Sequence, residues 1–546
     1  MRSRTLHAAT VALVVAAVLT TTPGMQVAAQ RPTSAPKLVV LLVVDQMRAD
    51  YLEWYGANFT AGFKRLTREG AWFTRAAYPY LDTVTCPGHS TIGTGTFPYH
   101  HGMILNNWYD PVTGKSPYCT DDPDATEISY NNLSPVQGDS AKRLMRPAIG
   151  EQIMARGGRS VGLSFKPRSA VTLTGHKVTA VLWFDDRGGW TTSSAFTPGP
   201  VPFLQKFIDS NPITNDLGKV WEKSLPPTAY QGEDDVKAEG VFTGGTRTFP
   251  HVLGIDGKAD TAFYSRWQRS PYADEYLERM AEASIDALKL GRGANTDFLA
   301  VSFSSVDAVG HVMGPRSHEI QDLLARLDKT IGRLLTYLDT NIGAGNYVLG
   351  LSADHGVAEV PETIGKGGRI ASKTITEAVH KVLVPILGGT PVANVSYTNV
   401  VLSDAARKRL TEDQALRNET FAAVRTLDGI ATVFWGPDLA SEAARHSDDP
   451  YKRAAALSYF PGRSGDIVVV PKENWLLSTA VTTHGTLYSY DQRVPVIVFG
   501  KGVKPGRYAQ DATPADLTPT LASLAQIVIA PTDGRVLKEA VVNVRP

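Results

Sequence analysis

The sequence predicts an α/β protein with a mostly parallel central sheet sandwiched by helices. Three observations carry this. Apolar runs of strand length show no polar alternation, as strands buried on both faces do. Segments with helical periodicity lie between them. Several of the runs stop abruptly at polar residues, and the carboxyl ends of strands are where open α/β sheets bind ligands.

In chain order, Leu38 to Val44 ends at Asp45. Ser160 to Phe165 is strand-like and precedes Lys166. Pro271 suits the start of a helix over Tyr272 to Leu290. Phe298 to Val306 reads as a strand leading into Asp307. From Ile320 to Leu338 the apolar residues fall on one helical stripe. Tyr347 to Leu351 leads to Asp354 and His355, and Ile467 to Val470 and Val496 to Phe499 read as further buried strands. Two regions break the rhythm, at about 191–270 and 376–474. Both read as insertions forming a cap over one end of the sheet.

The chain has 546 residues, 43% hydrophobic and 20% charged, with a formal net charge of +1. With no basic excess there is no electrostatic case for nucleic acid or an anionic membrane as partner. Residues 1–29 read as a signal peptide: Arg2 and Arg4, an apolar stretch from Ala8 to Leu19, and small residues before cleavage after Ala29. That stretch is shorter than the ~20 residues a membrane span needs. The remainder, 36–546, is read as one catalytic domain, periplasmic or secreted and without stable membrane insertion. Cys86 and Cys119 are the two cysteines. They can pair in an oxidising compartment or stay as free thiols. Two cysteines cannot build a cysteine-based zinc site, so any metal must be held by His and carboxylates.

Asp307 and His311 are spaced i, i+4, on one face of a helical turn, which suits two ligands on one ion. Asp354 and His355 stand before Gly356, and His484 before Gly485, in small-residue loops where adjacent side chains can converge. A nucleophile is offered by Thr83-Val-Thr85-Cys-Pro-Gly-His-Ser-Thr. Pro87 suits the first helical position, which puts Thr85 or Cys86 at or beside the N-cap. A helix N-terminus favours anions, so a phosphate would sit well beside that hydroxyl. Lys166 and Arg168, two residues apart, can share a strand face and point at one anion.

Together, Asp45-Gln-Met, Thr85-Cys-Pro-Gly-His-Ser-Thr, His101-Gly102, Asn106-Asn107-Trp108, Asp307…His311, Asp354-His355-Gly356 and His484-Gly485 resemble the alkaline phosphatase superfamily, near the nucleotide pyrophosphatase/phosphodiesterases. Lys166-x-Arg168 resembles its phosphate-irrepressible bacterial alkaline phosphatases that use threonine. The resemblance implies an alkaline phosphatase-like fold and two zinc ions. Asp45, Asp354 and His355 would hold one, which also contacts Thr85. Asp307, His311 and His484 would hold the other. Asn106, Lys166 and Arg168 would bind the non-bridging phosphate oxygens of small phosphate monoesters, with Thr85 as catalytic nucleophile. A phosphodiesterase would use the same metals and Thr85 but lack the cations. A sulfatase would need an Arg after Cys86-Pro that is not there. A non-catalytic metal- or phosphate-binding protein is the remaining alternative. Substrate identity and oligomeric state are not encoded in these motifs.

Overall fold

The computed structural model describes residues 34–542. The expected signal peptide over 1–29 lies outside the described residues. Leu38–Val44 is the fifth strand, next to the middle, of an eleven-stranded sheet. Asp297–Phe303 pairs with it in parallel on one side and Tyr347–Ser352 on the other. Ser160–Ser164 and Ala180–Asp185 extend the parallel run beyond Asp297–Phe303.

The alternation of side chains explains why these strands are apolar throughout. Leu38, Val40, Leu42 and Val44 enter one core cluster, and Val39, Leu41 and Val43 enter another on the opposite face. Helices Gly62–Glu69, Pro271–Leu288 and His318–Leu338 cover the first face through Leu66, Leu277 and Leu327. Helices Thr85–Thr94, Ile149–Met154, Pro167–Thr174 and Leu517–Leu524 cover the second through Ile92, Ile153, Leu173 and Leu521. The long helix begins where Ser317 accepts a hydrogen bond from the Ile320 amide. Burying one such Leu or Val side chain is worth about 1.5–3 kcal/mol.

Four local expectations are corrected. Val496–Gly500 is antiparallel to both its neighbours, Tyr347–Ser352 and Ala71–Ala76. Ile467–Pro471 belongs to a separate four-stranded antiparallel sheet with Val392–Ser396, Asn399–Leu402 and Ile430–Trp435, which has its own core. An apolar run specifies burial on both faces but not which sheet or direction it joins. The strand read as Phe298 to Val306 stops at Phe303, and Ser305–Met313 is a helix. Lys166 and Arg168 do not share a strand face: Lys166 is the N-cap of Pro167–Thr174 and Arg168 lies in its first turn. Pro167 drives this, because its fixed φ suits the first helical position.

The block at 191–270 contains helices Pro202–Ser210 and Thr261–Gln268 and a short pair, Val220–Trp221 with His251–Val252. Leu204, Phe263 and Trp267 join the core on the first sheet face. Among the described residues, no helix is long and apolar enough to cross a membrane.

Candidate active site

The strand ends deliver the site. Asp45 directly follows Leu38–Val44, and Asp354 and His355 follow Tyr347–Ser352. Asp307 and His311 lie one turn apart on Ser305–Met313, the Asp buried and its Oδ1 3.1 Å from His311 Nε2. His484 comes from the loop before Val496–Gly500. Two compact donor groups result: Asp45, Asp354 and His355, and Asp307, His355 and His484. His355 lies within both. The resemblance had placed His311 with Asp307 and His484; the structure keeps His311 against Asp307 but draws His355 into the tighter group.

These groups fit divalent metal ions. His311 Nδ1 lies 3.1 Å from the Thr482 carbonyl, His355 Nδ1 2.9 Å from that of Gly356, and His484 Nδ1 2.8 Å from that of Thr83. A carbonyl only accepts, so each Nδ1 carries a proton and Nε2 is the atom left to face a metal. Burial is outweighed at His355, raised to about 9 by Asp354 and Asp45, and His311 is raised by Asp307, so a metal would displace an Nε2 proton from these two rings. His355 Nε2 lies 3.6 Å from Asp45 Oδ1 and 3.2 Å from Asp354 Oδ2. Both oxygens are buried without a hydrogen-bond partner, which is costly unless a cation satisfies them.

Electrostatics keep most of this cluster ready to coordinate. Burial would raise Asp354, but the His355 and His89 imidazoles outweigh it and hold the carboxyl well below its ordinary range. Burial is likewise outweighed at Asp307, by Lys166 and His311. Asp45 is pushed up to about 6 by burial and by the charges of Asp307 and Asp354. His484 is pushed well below the usual imidazole value by burial and by His355 and His311.

Thr85 is the first residue of Thr85–Thr94, and its buried Oγ1 lies 3.5 Å from His355 Nε2. Val84 is the N-cap, so Pro87 is the third helical residue rather than the first. The position tolerates proline because the first helical N–H groups have no intrahelical partner. Cys86 is disulfide-bonded to Cys119, and the Cys86 amide donates to Asn106 Oδ1 at 2.8 Å. Asn106 is thereby fixed beside the start of helix Thr85–Thr94.

The two cations behave differently. Lys166 Nζ donates to Asp45 Oδ2 at 2.6 Å and to Asp307 Oδ2 at 2.5 Å, bridging the two donor groups. Arg168 has no ion pair among the described residues, and its Nε is buried without a partner.

Three supporting residues escaped the sequence reading. Gln46 adopts φ 67°, its amide donates to Asp354 Oδ1 at 3.0 Å, and its Nε2 donates to Asp307 Oδ1 at 2.7 Å. His89 Nδ1 lies 2.9 Å from the Thr85 carbonyl, and its Nε2 2.8 Å from Ser302 Oγ. Asp491 accepts from the Thr486 amide and hydroxyl while its carbonyl accepts from the Gly356 amide, tying the His484 and His355 loops together. Gln46 and His89 stand inside quoted motifs, which was their signal; Asp491 had none.

A family profile described as type I phosphodiesterase / nucleotide pyrophosphatase matches residues 39–491. The alkaline phosphatase PhoV of Synechococcus elongatus is 32% identical over 504 residues, 90% of each chain. The alkaline phosphatase PafA of Elizabethkingia meningoseptica is 32% identical over 515 residues, 90% of this chain and 92% of PafA. The solved wild-type PafA structure superposes with a TM-score of 0.84 at 30% identity, covering 94% of this chain and all of that one. A PafA variant substituted at one threonine, one asparagine, one lysine and one arginine superposes with a TM-score of 0.85. This chain belongs to the type I phosphodiesterase / nucleotide pyrophosphatase family of the alkaline phosphatase superfamily.

Proposed function

We propose that the protein is an exported alkaline phosphatase that hydrolyses phosphate monoesters through a phosphothreonine formed on Thr85 at a two-zinc site. The observation that carries this reading is the convergence of two carboxylate–imidazole groups on one hydroxyl at a helix N-terminus. Asp45, Asp354 and His355 would hold one zinc and Asp307, His311 and His484 the other. Oxygen and nitrogen donors of this kind suit zinc and leave positions open for substrate. Zinc bound there would lower the hydroxyl pKa and offset charge on the attacking and leaving oxygens.

Thr85 gives up its hydroxyl proton to solvent and its Oγ1 forms a bond to phosphorus as the ester P–O bond breaks, while the leaving oxygen takes a proton from water. Water then attacks the phosphothreonine, the Thr85 P–O bond breaks, and Thr85 recovers its proton. Asn106, Lys166 and Arg168 neutralise the non-bridging oxygens during both transfers. The alkaline phosphatase names of PhoV and PafA support the reading. So do the residue types substituted in the PafA variant, which occur here in the same chain order as Thr85, Asn106, Lys166 and Arg168. The blocks at 191–270 and 376–474 act as a cap. From the second, the Tyr397 ring reaches the backbone beside His484, where a Cβ on Gly485 would stand 3.0 Å from it.

Parallel kinetics on a monoester, a diester and a sulfate ester, with metal analysis of the same sample, test the proposal. The monoester should give the highest kcat/KM, zinc should be present at two per chain, and chelation should abolish activity that zinc restores. Preference for the diester, or full activity in a verified metal-free sample, overturns it.

A further inference from the structure

Between the hairpin Val220–Trp221/His251–Val252 and the helix Thr261–Gln268 lies a cavity of about 420 Å³. Its walls are largely apolar, with buried Trp221, Phe242 and Leu253 on the lining. The Trp221 indole N–H donates to Asp322, so only the hydrocarbon ring is offered inward. Val252 and Ile255, 39% and 53% exposed, lie on the same lining. Exposed aliphatic side chains beside an apolar cavity extend it toward solvent.

Two guanidiniums line this apolar space, Arg266 and Arg269. Arg266 is 7% exposed; its Nη1 donates to the Thr243 carbonyl at 2.7 Å, and its Nε is buried without a partner. Arg269 Nη1 donates only to the Ser265 carbonyl and hydroxyl of its own helix. Neither pairs with a carboxylate among the described residues. Burial pushes Arg269 down despite attraction from Asp186 and Asp307. His251 Nδ1, also on the lining, is buried and unpartnered. A buried cation without a counter-charge is expensive, and so is each buried donor left unmade. A purely structural arginine would spend its fork on backbone carbonyls; Arg266 spends one arm of it.

We propose that this cavity is a binding site for a small amphiphilic anion, with a carboxylate, sulfonate or phosphate head paired to Arg266 and Arg269 and an aromatic or aliphatic body against Trp221 and Phe242. The volume lies in the range of ordinary small-molecule sites. The planar forks match a planar or tetrahedral anion bidentately. The site shares no residue with the proposed phosphate-binding set of Asn106, Lys166 and Arg168, so it stands whether or not that set does.

Calorimetric titration of the full chain with 1-naphthalenesulfonate, and with uncharged 1-naphthalenemethanol, tests this. The sulfonate should bind once per chain and at least about tenfold more tightly than the alcohol. Arg266→Gln and Phe242→Ala should each weaken it by about tenfold, while Thr85→Ala leaves it unchanged. Arg269→Gln, at the less buried cation, provides the same readout where Arg266→Gln perturbs folding. Absence of saturable binding, equal affinity for the alcohol, or indifference to Arg269→Gln overturns the proposal.

Discussion

Thr85 and the cations around it make separable contributions. Thr85 Oγ1 is placed against His355 at the helix start. Thr85→Ala removes it and leaves every carboxylate and imidazole of both donor groups in the chain, so zinc content should persist while monoester turnover falls by about 10³-fold or more. Acid-trapped phosphate label located on Ser90 or Thr91 instead would refute the assignment. If Lys166 and Arg168 bind the non-bridging oxygens as proposed, they would favour monoester over diester, because a monoester dianion carries one more negative charge there. The contacts sharpen that test. Lys166 bridges Asp45 and Asp307, so its removal also disturbs metal binding; Arg168 touches neither carboxylate. Arg168→Ala should therefore lower kcat/KM for the monoester by about tenfold or more with unchanged zinc content, and cost the diester much less. Equal slowing of both substrates would mean the arginine contributes no discrimination.

At the scale of elements, the site depends on one helix lying almost against one loop. A Cβ added at Gly88 would stand 2.2 Å from the Asp354 carbonyl oxygen and 2.7 Å from its Cα. Helix Thr85–Thr94 thus rests on the Asp354 backbone itself, and Gly88→Ala must push the two apart. Since misplacing a reacting group by an ångström is costly, kcat/KM should fall at least about tenfold, with loosened zinc visible by metal analysis after dialysis. An alanine variant with wild-type activity would show that the contact does not set the geometry. This contact also marks where sequence reading stops. Apolar strand runs, the 318–338 helix and the strand-end Asp and His residues were legible because burial and periodicity write them locally. Whether Val496–Gly500 runs parallel, whether Ile467–Pro471 joins the main sheet, and that Asp491 braces two ligand loops were not, because each depends on a partner distant in the chain. The Lys166–Arg168 pair was found by its spacing after a strand-like run but placed on the wrong element, since Pro167 turns strand into helix between them.

Across the whole molecule, the block at 376–474 must be held to the catalytic sheet, and Asp82 is one of the fastenings. Thr398 Oγ1 donates to Asp82 Oδ1 at 2.6 Å, and the Asp82 amide donates to Ser458 Oγ at 3.0 Å. Burial raises the Asp82 carboxyl from its ordinary 3.8 to about 7, although hydrogen bonds from Thr398, Asn399 and Ser458 oppose the shift. The folded protein therefore binds a proton there that the unfolded chain gives up near pH 4. A raised pKa means stability that is fully present below pH 4 and lost as pH rises through about 7. The loss is at most about 4 kcal/mol. Asp82→Asn keeps a neutral side chain whose Oδ1 can still accept from Thr398, but it cannot titrate. Denaturant unfolding of both proteins from pH 4 to 9 should show the variant gaining on wild type up to about pH 7 and then holding a constant margin. Taking the difference cancels every other titrating group, including the metal ligands. A margin that does not change with pH would mean Asp82 is ionised in the folded state and meets the inserted block as a charged acceptor.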